Sequence, residues 1–486
     1  MRYIFIVNPK AGVKNIIDDV RKKAENYFSG SEDNYKVYET SGKGDATKIA
    51  HKECESGEKV RIYGFGGDGT LLEIVRGAVG RANAEVGIFP SGSGNDYIRT
   101  YGEREQFLDF DKQIHGRSIS IDMIDTLAGS AINICSVGLD AKVAYEMSNF
   151  KSIPGVKGSF AYDLALLKCL TGKIGDQLTV KMKTVEGEKE FQGNYIFALA
   201  AGGKCYGGGF MGAPKAVTND GLLDLILIKR PPLYRIPGLV KLYKNGHHLA
   251  SPKFKDILTF YRGYELEISS NDEIYCNRDG ECEKIKREKF SLSKGSLRFI
   301  LPLGVEYEMK PIHTERLVLR NWREDDYKDY LEFATDPAVM LSAGVTYVKK
   351  SDEQDFLKNK IADRHSMAMV LKDSKKVIGS LSFHDDLRRM RINSKIVEYA
   401  LNQKYWGNGY MAEALKAIIV YGFQELDLEV IAASHFTDNE KADRVIKNSG
   451  FTDEGVLRSG SRRLDGRVFD EHCYSITKEE YHSKLL

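Results

Sequence analysis

Strand-like apolar runs alternate with helix-compatible segments over the first hundred residues of the chain. The runs are residues 3–7, 35–39, 60–63 and 86–89, and segments of helical length lie between them. Such alternation is typical of a parallel, doubly wound sheet. Ligands of these sheets bind beyond the carboxyl ends of the strands. The turns that follow the runs are therefore the first candidates for a site.

Beyond Gly102 the apolar positions alternate with period two, which is typical of half-buried strands. Several segments carry this pattern, and helical patterns are few among them. The strand segments are residues 119–125, 131–137, 178–185, 194–200, 222–228, 264–269 and 297–301, and the helical ones are 160–170 and 232–244. This distribution predicts a mostly antiparallel second lobe that forms a β-sandwich.

A third pattern follows an irregular connector, residues 304–311. A helix is predicted over 325–334, a strand hairpin over 370–383 and a further strand over 396–401. This complete pattern predicts a separate α+β domain. The predicted domains are residues 1–125, the doubly wound lobe, residues 126–303, the β-rich lobe, and residues 312–486, the separate domain.

Composition excludes several classes of protein. The 486 residues suggest two to four domains, and 42% hydrophobic and 29% charged residues are ordinary for soluble globular chains. A formal net charge of +2 is too small to create an overall positive potential that would attract nucleic acid. No apolar run approaches about 18 residues, so we expect no membrane-spanning helix.

Cysteine usage and the N-terminus indicate the compartment. The seven cysteines are odd in number and form no C-x-x-C pair, which favours reduced thiols in a cytosolic protein. The first predicted strand begins at Tyr3, which leaves no room for a signal peptide. We therefore expect a cytoplasmic protein.

The most informative turn is Phe65-Gly66-Gly67-Asp68-Gly69-Thr70, which lies between a predicted strand and a predicted helix. Glycines let backbone N–H groups approach an anion, and a helix N-terminus adds its positive end. Asp68 would repel bare phosphate, so we expect a bridging Mg²⁺ or a water-linked role. A tight turn without a ligand is the alternative. A second Gly-rich turn, Pro90 to Asp96, follows the next strand and favours a site.

These two turns resemble a known family. G-G-D-G-T followed by Glu73 and Gly77, and then P-x-G-[ST]-x-N-D over residues 90–96, resembles the catalytic domain of bacterial diacylglycerol kinases and related lipid kinases. Sphingosine kinases share this domain. NAD kinases share only the first turn, although Leu71 and Leu72, which follow that turn here, resemble the NAD-kinase pattern. The resemblance implies Mg²⁺-dependent transfer of phosphate from ATP to a lipid hydroxyl met at the cytoplasmic face of the membrane.

The resemblance also implies which residues bind the nucleotide. It places catalytic function on Asp68 as well. The implied binding residues are Asn8, Pro9, Gly12, Thr40, Gly66, Gly67, Asp68, Gly69, Thr70, Ser93, Asn95 and Asp96.

Two D-G turns in the second lobe carry further expectations. Asp220 and the backbone carbonyls near Val217 and Leu222 resemble the family's structural metal site, and oxygen ligands suit Mg²⁺. Asp279-Gly280-Glu281 resembles the turn that supplies the acid beside the acceptor hydroxyl. The sequence leaves open whether Asp279 or Glu281 is the base. Arg278 departs from the family pattern. We expect this departure to alter the acceptor pocket, and it leaves the identity of the lipid open.

The C-terminal domain resembles another family. T-E-R-L-x-L-R over residues 314–320, followed by Asp336-Pro337, resembles the opening of GNAT acetyltransferases of the ribosomal-protein N-acetyltransferase type. Gly407-x-Gly409 follows a strand and opens a helix, which suits the pyrophosphate of acetyl-CoA.

The family pattern assigns roles here as well. It implies cofactor contacts at Gly407, Gly409, Tyr410 and Asn439, and Glu398 on the central strand is the candidate base. An outward, solvated Glu398 is the equal alternative. Lys404 and Ala442 depart from the family pattern, and Ala442 leaves the acid that protonates CoA unassigned.

Three functions remain open at this stage. The first is a bifunctional lipid kinase and N-acetyltransferase, whose amine acceptor is a protein N-terminus or a small molecule. The second is a lipid kinase with a non-catalytic, regulatory acyl-CoA-binding domain. The third, a kinase of the NAD-kinase type, is disfavoured by residues 90–96. A homodimer is one assembly that the sequence allows, and we expect no nucleic-acid partner.

Overall fold

The computed structural model describes residues 1–486 except 12–15, 31–32, 152–167, 170–173, 306, 308, 344–352, 364, 391, 427, 464–465 and 486. The chain forms two compact units, Met1–Val305 and Glu306–Leu486. All seven cysteines are free thiols. Among the described residues, no helix is both long and apolar enough to cross a membrane.

The N-terminal unit begins with a parallel sheet in the order β4-β3-β1-β2. Helices alternate with these strands, as the sequence pattern predicts. The elements are β1 (Arg2–Val7), α1 (Ile17–Phe28), β2 (Asn34–Glu39), α2 (Asp45–Cys54), β3 (Val60–Gly66), α3 (Asp68–Ala78) and β4 (Ala84–Pro90). Buried aromatic rings of Phe5, Tyr63 and Phe89 pack between the sheet and its neighbouring helices. This packing holds the C-terminal ends of β3 and β4 side by side.

The remaining strands of this unit are mostly antiparallel. They are β5 (Arg117–Thr126), β6 (Gly129–Ala131), β7 (Ile134–Gly138), β8 (Asp176–Thr184), β9 (Gly187–Ala201), β10 (Leu223–Lys229), β11 (Leu258–Arg278) and β12 (Glu281–Leu301), with helices α4 (Phe110–Ile114), α5 (Leu139–Lys151) and α6 (Ile236–Lys244). Short 3₁₀ turns occur at Tyr97–Thr100, Arg104–Phe107, Leu233–Arg235 and Pro252–Phe254. The fold class predicted for this part of the chain is confirmed.

Strand β12 connects the two halves of the unit. It begins at Glu281, pairs antiparallel with β11 and β5, and near its end pairs parallel with β4 through Arg298 and Phe299. The last strand of the β-rich half therefore returns to the parallel sheet.

Three sequence predictions differ from the structure. Residues 131–137 are not one strand, because the chain leaves the sheet at Ile132 and Asn133 between β6 and β7. Strand β11 is longer than the predicted 264–269, and α5 was not predicted. The helix predicted over 160–170 lies outside the described residues except for Lys168 and Cys169, which are helical.

The C-terminal unit contains an eight-stranded sheet in the order β13-β14-β15-β16-β17-β18-β20-β19. Its strands are β13 (Ile312–His313), β14 (Leu317–Asn321), β15 (Ser366–Leu371), β16 (Val377–Asp385), β17 (Ser394–Leu401), β18 (Val430–Phe436), β19 (Thr452–Arg462) and β20 (Val468–Thr477). Its helices are α7 (Tyr327–Ala334), α8 (Pro337–Ala343), α9 (Glu353–Ala362), α10 (Tyr410–Gln424), α11 (Glu440–Asn448) and α12 (Lys478–Leu485), with 3₁₀ turns at Glu324–Asp326 and Gln403–Tyr405. The predicted α+β class is confirmed.

Two features of this unit position its site. Strands β17 and β18 pair parallel only over Ser394–Ile396 and Val430–Ala432, and the ladder ends there. The predicted connector also carries core side chains, because Tyr307 and Met309 are buried and Lys310 forms an ion pair with Glu425 on the same unit. The C-terminal unit therefore includes residues that the sequence pattern assigned to a linker.

Candidate functional site

The two Gly-rich turns of the N-terminal unit meet backbone to backbone. A Cβ atom on Gly92 would lie 2.5 Å from the Cα of Gly67. The N–H groups of Ser91 and Gly92 donate to the carbonyl of Gly66 at 2.8 and 3.2 Å. Residues without side chains are needed at this contact, because any Cβ would separate the turns. The close approach places both turns at the C-terminal edge of the parallel sheet.

Asp68, the first residue of α3, is held by the second turn. Its Oδ1 accepts hydrogen bonds from the N–H of Asp96 at 2.7 Å and of Tyr97 at 3.3 Å. Burial and the nearby Asp96 carboxylate raise the pKa of Asp68 despite these amide donors. Two carboxylates thus share one partly desolvated position, which favours a cation or a proton between them.

Asp96 links this position to the glycines of the second lobe. Its Oδ2 accepts a hydrogen bond from the N–H of Gly208 at 2.8 Å, and burial raises its pKa. The Gly-rich segment around Gly208 therefore borders the site.

The oxygen atoms at this position suit a magnesium ion. Asn95 Oδ1 and Asp96 Oδ1 are buried and have no hydrogen-bond partner among the described residues. A Cβ on Gly94 would lie 2.8 Å from Asp68 Oδ2, so the glycine leaves room beside both carboxylates. Carboxylate and amide oxygens are the ligands that Mg²⁺ prefers. Ser93, on the same turn, is exposed.

Asp279 occupies a tight turn between β11 and β12. Asp279 and Gly280 have φ values of 51° and 92°, as a two-residue type I′ hairpin requires, and Arg278 pairs with Glu281 across it. The hairpin turn predicted from the D-G pair is confirmed.

The carboxylate of Asp279 points back to the break between β6 and β7. It accepts hydrogen bonds from the N–H groups of Ile132 at 2.5 Å, Asn133 at 3.1 Å and Ile134 at 2.9 Å. The break therefore has a physical reason, since these N–H groups serve Asp279 in place of a strand ladder. Burial, opposed by these amides and assisted by the charge of Asp68, raises the pKa of Asp279 to about 6.

Glu281 has a different environment. Its carboxylate forms ion pairs with Lys43 and Arg76, each at 2.7 Å. Burial alone would raise its pKa, but the hydrogen bonds from these two cations lower it. Lys43 and Arg76 are neighbours of Glu281 that sequence reasoning missed, because each lies far from Glu281 along the chain.

Arg278 is paired with two glutamates in the β-rich half. Its guanidinium is buried and bonds to Glu288, which is 0% exposed, with Nε to Oε2 at 2.7 Å. It also pairs with Glu283 at 2.5 Å. The charge of Arg278 is neutralised inside the β-rich half, and an effect of this residue on the acceptor pocket stays a prediction. Removing one partner of such a buried pair costs about 3 to 5 kcal/mol.

The other predicted nucleotide residues lie around the same edge. Asn8 Nδ2 donates a hydrogen bond to Thr70 Oγ1 at 3.0 Å. Asn8 Oδ1 accepts one from the N–H of Lys10 at 3.0 Å, which fixes the turn that contains Pro9. The N–H of Thr40 donates to Val7 O at 2.9 Å. Gly12 lies outside the described residues, and Gly69 has open space around it.

Glu73 has a role that the sequence did not reveal. Its carboxylate accepts hydrogen bonds from the N–H groups of Gly44 at 2.8 Å and Ala46 at 3.3 Å. It therefore caps α2 from a neighbouring helix, since Gly44 has no side chain to do so. This cap also holds the loop that carries Lys43.

The predicted metal position around Asp220 already has a cationic partner. Asp220 Oδ2 lies 2.6 Å from Arg262 Nη2, and Asp220 Oδ1 accepts from Leu222 N at 3.2 Å. Arg262 also pairs with Asp224, whose pKa burial raises to about 7. A metal bound by Val217, Asp220 and Leu222 stays a prediction.

The C-terminal unit has a cavity of about 1200 Å³ where β17 and β18 separate. The predicted cofactor residues line it: Gly407, Gly409, Tyr410 and Asn439 all border the cavity, as does Glu398. Gly409 caps α10 with φ 77°, and Gly407 has φ 80°. The cavity therefore opens onto the N-terminal N–H groups of a 15-residue helix, which attract an anion.

Two neighbours fix the rim of this cavity. Arg316 donates to Asn408 O at 3.0 Å, and its guanidinium lies 4.4 Å from the ring centre of Tyr410. Asn439 caps α11 by accepting from Ala442 N at 3.1 Å, while its Nδ2 donates to Ser342 O at 3.1 Å. Asn439 thus orders the cavity wall through backbone contacts. Ala442 offers no hydroxyl there.

Glu398 is half-exposed and has a specific partner. His384 Nε2 lies 3.2 Å from its Oε2. This hydrogen bond lowers the pKa of Glu398 and raises that of His384. Glu398 is therefore solvated, as expected of an outward strand residue. It also borders the cavity, as a catalytic base must.

Comparisons with known proteins match separate ranges of the chain to separate domain families. Residues 2–126 match the diacylglycerol kinase catalytic domain, residues 133–300 match the YegS C-terminal NAD kinase β-sandwich-like domain, and residues 316–452 match the GNAT acetyltransferase domain. The chain joins a diacylglycerol kinase-like domain to a GNAT acetyltransferase-like domain. The kinase-like domain holds Asp68 and Asp279, and the GNAT-like domain holds the cavity.

Individual relatives cover one domain each. A diacylglycerol kinase of Staphylococcus saprophyticus is 29% identical over 287 residues, which are 57% of this chain and 87% of the relative. An uncharacterized N-acetyltransferase of Bacillus licheniformis, p20, is 28% identical over 180 residues, 36% of this chain and 99% of the relative. A crystal structure of a provisionally assigned diacylglycerol kinase from Bacillus anthracis is 21% identical, covers 63% of this chain and 97% of its own, and has a TM-score of 0.50, which supports the fold.

Proposed function

We propose that residues 1–303 transfer the γ-phosphate of ATP to a lipid hydroxyl and that residues 312–486 transfer an acetyl group from acetyl-CoA to an amine. The observation that carries the first half is the pairing of Asp68 and Asp96 between two Gly-rich turns, with Asp279 close enough that the charge of Asp68 adds to burial in raising its pKa. The related diacylglycerol kinases suggest diacylglycerol or a similar lipid as the acceptor. The acceptor is met at the cytoplasmic face of the membrane.

The nucleotide lies against the N–H groups of the two turns and α3. Asn8, Pro9 and Thr40 border the same edge, and nucleotide binding is also assigned to Gly12, which lies outside the described residues. The oxygens of Asp68 and Asp96 would hold Mg²⁺, which neutralises charge on the phosphates when it is bound. Ser93 and Asn95 complete the second turn, and the absence of side chains at Gly67 and Gly92 keeps the backbone close to the anion.

Asp279 is the base in this proposal. Its raised pKa and its fixed orientation suit a group that takes the proton from the acceptor hydroxyl. The acceptor oxygen forms a bond to the γ-phosphorus, the bond between that phosphorus and the β–γ bridging oxygen breaks, and the proton passes to Asp279. Glu281 stays ionised and positions Lys43 and Arg76 beside the site.

Incubation of the full chain with ³²P-labelled ATP, Mg²⁺ and extracted lipids, resolved by headgroup, tests this half. We expect label in one lipid class for the wild type and none for Asp68→Asn. In a parallel reaction with added NAD, label in NADP and none in lipid would favour the NAD-kinase type. A chain that labels neither would contradict the proposal.

The acetyltransferase half is supported by the cavity at the N-terminus of α10. The pyrophosphate of acetyl-CoA lies against Gly407, Gly409 and Tyr410, Asn439 orders the opposite wall, and Glu398 takes the proton from the amine. Transfer forms the amide bond and breaks the thioester, and CoA leaves as a thiolate that takes a proton from water. Labelled acetyl-CoA with a peptide mixture as acceptor tests this half, and Glu398→Gln should reduce transfer about 10²-fold while leaving acetyl-CoA affinity unchanged.

A regulatory domain is the second candidate, and Ala442 favours it, because this residue offers no hydroxyl acid at the cavity. That function predicts acetyl-CoA binding without transfer and a change in kinase rate when acetyl-CoA is bound. Measuring both rates in the same full-length protein separates the two candidates.

A further inference from the structure

A cluster of histidine and carboxylate side chains lies beside the cavity of the C-terminal unit. His435 on β18 is the direct cross-strand neighbour of His472 on β20, and Asp443 approaches both from α11. One nitrogen of each histidine and one oxygen of Asp443 all lie within 4.8 Å of one another. Neither proposed reaction uses these three side chains.

The outer hydrogen bonds fix the protons of both imidazole rings. His435 Nδ1 lies 2.8 Å from the carbonyl oxygen of Phe436, and His472 Nε2 lies 2.9 Å from the carboxylate of Asp453. A carbonyl and a carboxylate only accept, so these two nitrogens carry the protons. In the neutral imidazoles, His435 Nε2, which lies 3.4 Å from Asp443 Oδ1, and His472 Nδ1 are therefore lone-pair atoms that point into the cluster. Histidines that bind metals have this outer arrangement.

Inside the cluster, acceptors outnumber donors. The hydroxyl of Tyr474 lies 2.5 Å from Asp443 Oδ1, 3.0 Å from His472 Nδ1 and 3.4 Å from His435 Nε2. One hydroxyl proton can serve only one of these three atoms. Lys447 also donates to Asp443 at 2.9 Å, but it reaches neither imidazole nitrogen in that contact and is 50% exposed. A cation bound between the two nitrogens would accept the lone pairs of both.

We propose that His435 Nε2, His472 Nδ1 and Asp443 Oδ1 bind a divalent transition-metal ion, with the Tyr474 hydroxyl at the fourth corner of a tetrahedron. Two nitrogens and two oxygens suit Zn²⁺. Ligand atoms of a tetrahedral Zn²⁺ site lie about 3.3 Å apart, given bonds of about 2.0 Å. Small side-chain rotations bring the three atoms from their present spacing to that value, and Lys447 can turn to solvent.

Such an ion would tie α11 to strands β18 and β20. The N-cap of helix α11 is Asn439, the residue that orders one wall of the cavity. Bound metal would therefore stabilise the C-terminal unit and hold this wall in place without taking part in acetyl transfer. This inference rests on the cluster alone and holds whether or not that transfer occurs.

Metal binding is tested on the full chain after treatment with a chelator and desalting. Addition of Co²⁺ should give about one bound ion per chain with the intense visible absorption of tetrahedral Co²⁺, and Zn²⁺ should displace it. Excess Zn²⁺ should raise the melting temperature of the C-terminal unit by about 5 °C at a hundredfold excess over Kd.

Variants separate this site from surface binding. His472→Gln and Asp443→Asn should lower Co²⁺ affinity by about 10²-fold and abolish the absorption. His313→Gln, at an exposed histidine of the same unit, should change neither. If the wild type takes up no stoichiometric metal, or if both cluster variants bind Co²⁺ as the wild type does, the cluster is a hydrogen-bonded network held by protons and the proposal is wrong. Circular dichroism on each variant shows whether a lost signal reflects a lost fold.

Discussion

Gly67 and Gly92 belong to different turns of the chain, and their backbones touch. A Cβ on Gly92 would lie 2.5 Å from Gly67 Cα, and one on Gly67 would lie 3.1 Å from Gly92 Cα. The atoms on the other side of each contact are backbone and cannot rotate away. The close contact explains why both turns are built from glycine and why Asp68 reaches the N–H groups of Asp96 and Tyr97.

Gly92→Ala should separate the turns. We expect a loss of about 1 to 3 kcal/mol in the free energy of unfolding of the N-terminal unit, the usual cost of overpacking, together with a loss of ATP binding. Thermal melts and calorimetric titration with ATP and Mg²⁺ measure the two effects. Gly42→Ala is the matched control, since an added Cβ meets open space there. Unchanged ATP affinity in a folded Gly92→Ala protein would show that the contact has no role in the nucleotide site.

Asp68→Asn should abolish phosphoryl transfer and leave the fold intact. The amide keeps an oxygen for the N–H groups of Asp96 and Tyr97, but it removes the negative charge that would hold a magnesium ion beside the nucleotide. Steady-state kinase rates and a thermal melt check this. Asp18→Asn, at a 92% exposed side chain on α1, is the control. Near-wild-type activity in a well-folded variant would refute the assignment.

The roles of Asp279 and Glu281 can be told apart by amide substitution. Asp279→Asn should lower kcat by about 10²-fold or more with little change in ATP affinity, the scale of a lost general base. Glu281→Gln should have a smaller effect, because Lys43 and Arg76 occupy its carboxylate. Glu273→Gln, an exposed carboxylate paired with Lys284, is the control. The opposite order of effects would make Glu281 the base, and a loss of ATP affinity would move the pair to the nucleotide site.

The acid side of the pH profile should report on Asp279. A base works when it is ionised, and the pKa of Asp279 is raised to about 6, so activity should be full above that value and fall tenfold per pH unit below it. The measurement is kcat/KM for the lipid from pH 4.5 to pH 8 at saturating ATP and Mg²⁺. Glu281, whose pKa is lowered, predicts instead a profile that stays flat down to about pH 4.5. A flat profile would therefore exclude Asp279 as the titrating base.

Local signals predicted most of the fold, and distant contacts account for what they missed. The glycine turns, the Asp279-Gly280 hairpin and the helix start at Gly409 are set by residues adjacent in the chain. The break at Ile132 was hidden because residues 131–137 alternate like a continuous strand, and its cause, the carboxylate of Asp279, lies far away in sequence.

Side-chain partners were the least predictable part of the site. The pairing of Glu281 with Lys43 and Arg76 depends on how three separate elements come together. The inward direction of Arg278 depends on which face of β11 is buried, and the period-two pattern does not reveal this at a charged residue. Function was therefore predictable at the level of motifs, whereas the division of roles between neighbouring acids required the fold.

The boundary between the two units supports a prediction about fragments. Tyr307 is 2% exposed and Met309 is 1% exposed, and Lys310 pairs with Glu425, so residues before Pro311 contribute to the C-terminal unit. A fragment of residues 306–486 should fold alone and bind acetyl-CoA. A fragment of residues 312–486 should melt about 5 °C or more lower, because it loses two buried side chains worth about 1.5 to 3 kcal/mol each. Circular dichroism and calorimetric titration compare them. Equal melting temperatures would show that residues 306–311 act only as a linker. A folded 306–486 fragment that does not bind acetyl-CoA would show that this domain has a structural role, and lipid phosphorylation would then be the chain's one proposed activity.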